Sequence, residues 1–287
     1  MIMITGASGQ LGRLVIEALL KKVPSARIAA AVRDPGKVKD LAGRGVAVRR
    51  ADYDKPETLA EAFEGVDKLL LISSSEVGRR LPQHEAVIGA AKAAGVSLIA
   101  YTSILRASDT PLGLGEEHRG TEAAIKASGL PFVLLRNGWY TENYAAGIPA
   151  ILANGAMYGC AGEGRISSAA RADYAQAAAE VLTREGQEGR VFELAGDASY
   201  SLSEFAAEIA RQSGKAIVYR DLPRDDYKAA LAKAGLPGPI AGLLADSDAG
   251  AAKGGLFDDG KALSGLIGRP TTPFADTVKA ALQNLAS

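Results

Sequence analysis

Three glycines near the start of the chain have the spacing of a phosphate-binding turn. Residues 6–12 read Gly-Ala-Ser-Gly-Gln-Leu-Gly, and they lie between a short apolar run and a helix-like pattern. In such a turn the first glycine permits a tight bend, the second lets the backbone approach a pyrophosphate, and the third lets the helix pack closely on the strand. The N-terminus of the helix then offers N–H groups to the anion. The residues expected to bind a dinucleotide here are Gly6, Ala7, Ser8, Gly9, Gln10 and Leu11.

A basic residue at the end of the second predicted strand indicates which dinucleotide this would be. Arg33 follows Gly12 by 33 − 12 = 21 positions, the distance at which NAD sites place an Asp or Glu for the ribose 2′-hydroxyl. An arginine there favours the 2′-phosphate of NADP, and Lys37 would add a second cation. The alternative is an ordinary surface arginine that pairs with Asp34. We predict NADP as the cofactor, with NADPH as its reduced form.

Polar residues follow the third and fourth predicted strands. Asp52 could accept a hydrogen bond from the adenine amino group. Ser73, Ser74 and Ser75 would lie beside the ribose and the pyrophosphate. Ligands of open α/β sheets bind beyond the carboxyl ends of the strands, which is where these four residues occur. Each of them could instead cap a turn.

One acid–base device of dehydrogenases is missing from the sequence. Short-chain dehydrogenases protonate an alcohol oxygen with Tyr and Lys four positions apart, and none of the nine tyrosines has that lysine. At the expected helix the chain carries His118 and Glu122 instead. Ordinary alcohol or ketone chemistry therefore lacks its acid–base group. A quinone tolerates this absence because hydride addition gives an anion delocalised over the ring, so that the protein contributes mainly proximity and orientation.

The first half of the chain alternates short apolar runs with helix-like segments. Continuous apolar runs are typical of strands buried on both faces of a parallel sheet. The predicted strands are Met1–Thr5, Ala26–Val32, Val46–Arg49, Lys68–Ile72, Leu98–Thr102 and Phe132–Leu135. The predicted helices are Leu11–Lys22, Pro35–Ala42, Pro56–Phe63, Gln83–Ala94 and Glu117–Ser128. This order predicts the α/β class, with a doubly wound, Rossmann-type parallel sheet.

Beyond about residue 150 the less regular pattern predicts a smaller C-terminal α/β substrate domain. We expect a dinucleotide-binding domain over residues 1–150 and the substrate domain over 151–287, with the chain able to cross between them. The predicted elements are helices Ala172–Leu182, Leu202–Gln212, Asp225–Ala234 and Thr277–Leu285 and strands Arg190–Leu194 and Ala216–Tyr219. Ser201 and Glu204 form a capping-box pattern before the second of these helices. The segment Gly235–Gly260 is rich in Gly, Pro and Asp and predicts a loop or lid.

Composition excludes several other classes of protein. The 33 basic residues balance 33 acidic ones, which argues against a nucleic-acid partner because a strongly basic face would be expected. No apolar stretch reaches the roughly 18 residues that a membrane span needs. One cysteine and two histidines cannot supply a typical Cys/His zinc set, and we expect no metal. A lone cysteine also fits a reducing compartment, so the expected location is the cytoplasm.

Several segments of the chain resemble the NmrA-like group of atypical short-chain dehydrogenases. Those that resemble the group as a whole are Gly6–Gly12, Val32–Pro35, Leu135–Tyr140 and Arg171–Ala175. Those that resemble its quinone-reducing members are Leu69–Gly78, Leu244–Asp248 and Lys253–Asp259. The similarity spans essentially the whole chain.

The resemblance implies a longer cofactor site and a reaction. Besides the glycine turn, Arg33 and the serines, it adds the segment after the sixth strand, which is Asn137, Gly138, Trp139, Tyr140, Thr141 and Glu142. It implies hydride transfer from NADPH to a quinone in a cleft between the domains. Asn143 or His118 could donate to the quinone oxygen, and for His118 a structural role is the alternative. Two other readings of the resemblance are a reductase of triphenylmethane-type dyes and a regulator that senses NADP without turnover. The oligomeric state is left open.

Overall fold

The strands form a seven-stranded sheet and a separate two-stranded pair in this computed structural model, which describes residues 1–285. In chain order the strands are β1 (Ile2–Ile4), β2 (Ile28–Val32), β3 (Ala47–Arg50), β4 (Lys68–Leu71), β5 (Leu98–Ile104), β6 (Phe132–Asn137), β7 (Ala156–Gly159), β8 (Val191–Leu194) and β9 (Val218–Asp221). The large sheet has the order β3-β2-β1-β4-β5-β6-β8, and β1 to β6 pair in parallel. The order reverses between β1 and β4, which is the point at which such sheets bind ligands.

Helices connect these strands and continue the chain beyond them. They are α1 (Gln10–Leu20), α2 (Lys39–Ala42), α3 (Pro56–Ala62), α4 (Arg80–Ala93), α5 (Gly115–Ser128), α6 (Thr141–Ala145), α7 (Ile148–Asn154), α8 (Arg171–Thr183), α9 (Leu202–Ser213), α10 (Arg224–Lys233), α11 (Gly238–Ala251), α12 (Ala262–Ile267) and α13 (Phe274–Leu285). Short 3₁₀ turns cover Ser25–Arg27 and Pro35–Val38. The predicted helix Pro35–Ala42 is therefore a 3₁₀ turn followed by the single turn of α2.

Buried apolar side chains explain why the strands lie in the middle of a layered fold. All five residues of β2 are buried, and so are all seven of β5. Strands that are apolar on both sides need helices on both faces of the sheet. α1 supplies one such helix, because Leu11, Val15 and Leu19 recur at helical spacing on its buried face. The predicted α/β class and Rossmann-type parallel sheet are confirmed.

The helix α8 belongs to the same layers although it comes late in the chain. It packs on α1, and Lys22 of the turn after α1 forms an ion pair with Glu180 at 2.7 Å. The Lys68 amine, at the start of β4, donates to the carbonyls of Leu182 at 3.0 Å and Arg184 at 3.2 Å. The sheet and α1 are thus completed by a segment that follows β6 by more than thirty residues.

Two compact units are each built from several segments of the chain. The first unit contains residues 1–107, 116–137 and 171–192, and the second contains residues 108–115, 138–170 and the chain from 193 onward. The first unit holds β1 to β6 with α1 to α4, α8 and almost all of α5. The assignment of a substrate domain to residues 151–287 stays a prediction.

The expectation of a loop or lid over Gly235–Gly260 is wrong for its central part, which forms α11 (Gly238–Ala251). Pro239 occupies the first turn, where the missing N–H has no helical partner to lose. A Cβ on Gly250 would lie 2.9 Å from the side chain of Leu112. The small residues of this segment therefore permit close packing, and they do not indicate an irregular chain.

Other elements of the second half follow the prediction more closely. The predicted helices around α8, α9, α10 and α13 are present, and Ser201 and Glu204 form the expected capping box. The predicted strand Arg190–Leu194 is β8 and extends the large sheet beside β6. The short elements α6, α7, β7 and α12 carry no signal that sequence analysis used, since each is only four to seven residues long.

Candidate dinucleotide-binding site

The segment after β1 forms the tight turn that the three glycines predict. Gly6 has a φ of +57°, and its carbonyl accepts a hydrogen bond from the Gly9 N–H at 2.9 Å. A Cβ on Gly12 would lie 2.5 Å from the Gly6 carbonyl oxygen and 2.7 Å from the Ala7 Cα. A side chain at position 12 would therefore push α1 away from the turn. The bend expected of Gly6 and the close packing expected of Gly12 are both present.

The N-terminus of α1 is suited to an anion. The helix begins at Gln10, and Gly9 precedes it in an extended conformation. Among residues 1–285 no side chain caps this helix end, and its first turn contains no acidic residue. The first N–H groups of a helix have no partners within the helix and carry the positive end of its dipole. This turn can therefore hold a phosphate group by its backbone.

A cavity of about 400 Å³ opens beside the turn, at the carboxyl ends of β1 to β4. All of its lining residues belong to the first unit. The predicted residues that line it are Gly6, Ser8, Gly9, Gln10, Leu11, Arg33, Lys37, Asp52, Ser73, Ser74 and Ser75. Ala7 is fully buried and does not line the cavity. Four separate segments of the sequence prediction are thus brought together at one edge of the sheet.

The cavity carries charges of both signs. Its cations are the predicted Arg33 and Lys37, together with Arg171 from the start of α8. Its acids are Asp34, Asp52, Asp54 and Glu76. The Arg33 side chain is 68% exposed, and its Nη1 donates to Glu76 Oε1 at 2.9 Å. Asp34, the expected partner in the surface-pair alternative, accepts instead from the Gly36 N–H at 2.9 Å.

Several of these lining residues were not predicted from the sequence. Glu76 directly follows the three predicted serines, so its position was a usable signal. Gln83 and Arg171 lie at or near the starts of helices whose placement beside the turn could not be derived from local pattern. The side chain of Arg171 donates to Gln10 Oε1, which joins α8 to the glycine turn.

Three side chains hold the backbone of the serine segment, Ser73–Ser75, and of Ile72 directly before it. The Ile72 N–H donates to Thr5 Oγ1 at 3.0 Å, and the Ser73 N–H donates to Thr102 Oγ1 at 2.8 Å. The Ser74 N–H donates to His84 Nε2 at 2.9 Å. Because these bonds come from the residue after β1, from β5 and from α4, the segment has a defined path along the cavity.

His84 is a neutral histidine whose tautomer follows from its partners. A backbone N–H can only donate, so the Nε2 atom that faces Ser74 carries no proton. The Nδ1 atom lies 2.9 Å from Thr121 Oγ1, to which it donates. Burial lowers the pKa of His84 to about 3, and the charge of Arg80 acts in the same direction. His84 therefore remains neutral near pH 7 and serves as a fixed acceptor for the serine segment.

His118, a predicted proton donor, lies in the interior of the first unit. It is 5% exposed on α5, and it does not line the cavity. Its Nδ1 lies 2.7 Å from the Tyr101 hydroxyl, and its Nε2 lies 3.4 Å from Arg80 Nη1. Burial lowers the pKa of His118 well below its usual value. Both ring nitrogens thus face protein groups, and its role as a proton donor stays a prediction.

The segment expected beside the nicotinamide divides between the two units. Asn137 ends β6 in the first unit, whereas Gly138–Glu142 and Asn143 belong to the second. α6 begins within this segment, where the Thr141 N–H donates to the Ala169 carbonyl at 3.0 Å. None of these residues lines the cavity of the first unit. Their cofactor-binding roles, and the proton-donor role of Asn143, stay predictions.

The second unit encloses a carboxyl group among aromatic rings. Asp248 on α11 is 3% exposed; its Oδ1 accepts from the Tyr144 hydroxyl at 3.1 Å and its Oδ2 from the Cys160 N–H at 3.3 Å. Burial raises the pKa of Asp248 to about 6. The ring of Tyr144 lies 6.4 Å from that of Trp139 and 5.9 Å from that of Phe205. Asp248 thus anchors α6, the helix that carries Asn143.

Within residues 1–285, no group of three or more His, Cys, Asp or Glu side chains is placed to hold a metal ion. No helix of this described part of the chain is both long enough and apolar enough to cross a membrane.

A parallel sheet with a glycine turn and a cavity at its reversal point is the architecture of dinucleotide-binding proteins. The chain belongs to the NAD(P)H-binding family, whose family model matches residues 6–185. It is 57% identical to quinone oxidoreductase 2 of Escherichia coli strain K12 over 278 residues, which are 97% of this chain and 97% of that protein. The predicted family is confirmed, and with it a nicotinamide dinucleotide as the cofactor class.

Solved structures agree with this assignment. An NADPH-dependent quinone oxidoreductase from Escherichia coli, in complex with NADPH, superposes with a TM-score of 0.96 at 56% identity, covering 98% of this chain and 100% of that one. The triphenylmethane reductase of a Citrobacter species, in complex with NADP(H), has a TM-score of 0.94 at 40% identity, with 98% and 100% coverage.

Proposed function

We propose that this chain is an NADPH-dependent quinone reductase. The observation that carries the proposal is the cavity of the first unit, where the glycine turn meets Arg33 and Lys37. It occurs in a chain that is 57% identical, over nearly its whole length, to a quinone oxidoreductase. A glycine turn alone would support any dinucleotide, whereas two cations at the end of β2 favour one with a 2′-phosphate.

Several groups of the cavity would each meet one part of NADPH. The uncapped N-terminus of α1 would hold the pyrophosphate, and Gly9 leaves room for it to approach the backbone. Arg33 and Lys37 would hold the 2′-phosphate, and Asp52 would accept from the adenine amino group. The serine segment Ser73–Ser75 would contact the ribose, on a backbone already held by hydrogen bonds. Asn137–Glu142 would line the nicotinamide end.

The chain's own residues would mainly bind and orient. When bound, NADPH supplies the hydride that a quinone ring accepts. Asn143 would donate a hydrogen bond to the quinone oxygen from α6, and Asp248 would keep that helix in place through Tyr144. A charge delocalised over a ring needs no strongly tuned acid, which agrees with the absence of a Tyr–Lys pair four positions apart. The expected cytoplasmic location stays untested.

A turnover assay tests this proposal. The purified protein is mixed with NADPH and a panel of quinones, and loss of the reduced-nicotinamide absorbance is followed over time. We expect oxidation of NADPH that depends on the quinone, and slower oxidation when NADH replaces NADPH. In a parallel measurement, the fluorescence of the nucleotide monitors NADPH binding. Tight NADPH binding without turnover on any acceptor would contradict the enzyme and support the regulator that only senses the cofactor.

Reduction of triphenylmethane dyes is a second candidate. It is favoured by the 40% identity and the TM-score of 0.94 with the Citrobacter triphenylmethane reductase. A cationic dye and a quinone are both flat, delocalised hydride acceptors, so one binding geometry serves both. The same assay with dyes separates them: a kcat/KM higher for a triphenylmethane dye than for every quinone would replace the proposed substrate class.

A further inference from the structure

An acidic side chain pairs with Arg33, the residue proposed above to bind the 2′-phosphate. Arg33 Nη1 donates to Glu76 Oε1 at 2.9 Å, and both residues line the cavity. The pair joins residues 43 positions apart, one after β2 and the other after β4. The guanidinium proposed to bind the cofactor phosphate is therefore already bound to an anion of the protein itself.

Glu76 is held in this place from its other side. Its Oε2 accepts from Gln83 Nε2 at 2.9 Å, and Gln83 is only 4% exposed. The Ser74 hydroxyl donates to Gln83 Oε1 at 2.7 Å and accepts from the Glu76 N–H at 3.2 Å. Glu76 is thus anchored to a buried amide, and its Oε2 also lies 3.5 Å from Arg79 Nη1, while Arg33 lies on the open side of the cavity. An incoming phosphate can displace the arginine more easily than the carboxylate.

The other acids of the cavity are bound elsewhere. Asp34 accepts from the Gly36 N–H at 2.9 Å, and Asp52 accepts from the Asp54 N–H at 3.2 Å. Asp54 accepts from Arg79 Nη2 at 3.0 Å. Of these four acids, Glu76 is the one whose hydrogen bond goes to Arg33.

On the basis of the proposed use of NADPH, we propose that Glu76 is a specificity-determining residue that competes with the 2′-phosphate for Arg33. A nucleotide without this phosphate leaves the Arg33–Glu76 pair intact. A nucleotide with it must share or displace the pair, and it then lies close to an anchored negative charge. Glu76 thereby lowers the preference for NADPH over NADH below what Arg33 and Lys37 alone would produce.

The test uses two adenosine fragments that differ only in this phosphate. The full chain and its Glu76→Gln variant are titrated with 2′,5′-ADP and with 5′-AMP, by calorimetry at low salt. The variant keeps the size of the side chain and an oxygen for Gln83. We expect 2′,5′-ADP to bind about 3- to 10-fold more tightly and 5′-AMP to change by less than about twofold. The gain should shrink when salt is raised, because it is electrostatic.

Asp52→Asn is the matched control, since it neutralises an acid of the same cavity whose hydrogen bond is with the Asp54 N–H and which would meet the adenine that both fragments share. The control should change the dissociation constants of 2′,5′-ADP and 5′-AMP by the same factor. A Gln83→Leu variant removes the anchor and keeps the charge, and it should tighten 2′,5′-ADP by a smaller factor than Glu76→Gln. Thermal unfolding confirms that each variant is folded.

The possible outcomes separate this inference from the proposed function. If Glu76→Gln binds 2′,5′-ADP more weakly or unchanged, or tightens both fragments equally, Glu76 is not a competitor and the inference is overturned. Wild-type binding of 2′,5′-ADP would leave the proposed cofactor site standing in each of those cases. If the wild type binds neither fragment, the nucleotide site itself is wrong, and both proposals fall together.

Discussion

In the first unit charged side chains line an open cavity, whereas in the second unit the carboxyl of Asp248 is enclosed by the protein. Arg33 and Lys37 line this cavity and can meet a ligand directly. The backbone of residues 72–74 is held in place there by Thr5, Thr102 and His84. The carboxyl of Asp248 accepts hydrogen bonds from the Tyr144 hydroxyl and from the Cys160 N–H. An exposed charge offers binding, and an enclosed one changes its pKa and holds a helix. The two regions should therefore respond to substitution in different measurements.

The largest effect is expected where the turn leaves no space. Gly12→Ala places a Cβ against two backbone atoms, so we expect a loss of about 3 kcal/mol in the free energy of unfolding and NADPH binding at least about 100-fold weaker. Gly89→Ala is the matched control, because a Cβ there meets nothing within 4 Å and the residue is helical. Chemical denaturation and NADPH titration measure both. Wild-type affinity in Gly12→Ala would show that the turn does not carry the cofactor.

The enclosed carboxyl predicts a pH-dependent effect. The pKa of Asp248 is about 6 in the folded protein against an ordinary 3.8, so its favourable contribution is full below pH 3.8 and is lost as the pH rises through 6. That difference is worth about 3 kcal/mol. We therefore compare the free energy of unfolding of Asp248→Asn with that of the wild type. The difference should favour the variant by about 2–3 kcal/mol more near pH 8 than near pH 4. Denaturation curves at the two pH values measure it, and parallel changes in both proteins would contradict the enclosure.

Removal of the exposed cation should change binding and leave stability almost unchanged. We expect Arg33→Ala to weaken NADPH about 10- to 100-fold, because charge-assisted hydrogen bonds to the 2′-phosphate are lost, and to weaken NADH less than about threefold. Arg44→Ala is the control, since Arg44 pairs with Glu17 and does not line the cavity. Titrations with NADPH and with NADH give the ratio of the two losses in affinity. Equal losses for NADPH and NADH would remove Arg33 from the 2′-phosphate site.

The smallest effect concerns the two candidate proton donors, one from each unit. Asn143→Ala should lower kcat for quinone about 10-fold with little change in KM for NADPH. His118→Gln should leave kcat within about threefold and lower the free energy of unfolding by about 1–2 kcal/mol, since His118 contacts Tyr101 and Arg80. Steady-state kinetics and denaturation on the same preparations compare them. The reverse pattern would make His118 the donor.

Features close together in the sequence were predictable, and pairs far apart were not. The turn at Gly6–Gly12 and the basic end of β2 follow from residue type and position along one or two strands. The Arg33–Glu76 bond depends on β2 and β4 lying on either side of β1, and no local sequence pattern indicates that arrangement. Asp248 stands out in the sequence even less, because its pKa arises from burial beside a tyrosine 104 positions earlier.

The segment 235–260 shows why composition misled. Glycine and proline interrupt most helices, so a stretch rich in both predicts a loop. In α11 the proline lies in the first turn, where it costs little, and Gly250 lies where a larger residue would collide with Leu112. The same residue types therefore indicate close packing once their partners are known.

The position of α8 in the chain has a consequence for synthesis on the ribosome. The sheet and α1 of the first unit are completed by residues 171–192, through contacts such as the Lys22–Glu180 pair. Residues 138–170, which belong to the second unit, leave the ribosome before that segment does. We expect the nascent chain to keep one face of α1 exposed until about residue 192 has emerged, so that the two units cannot fold one after the other in chain order.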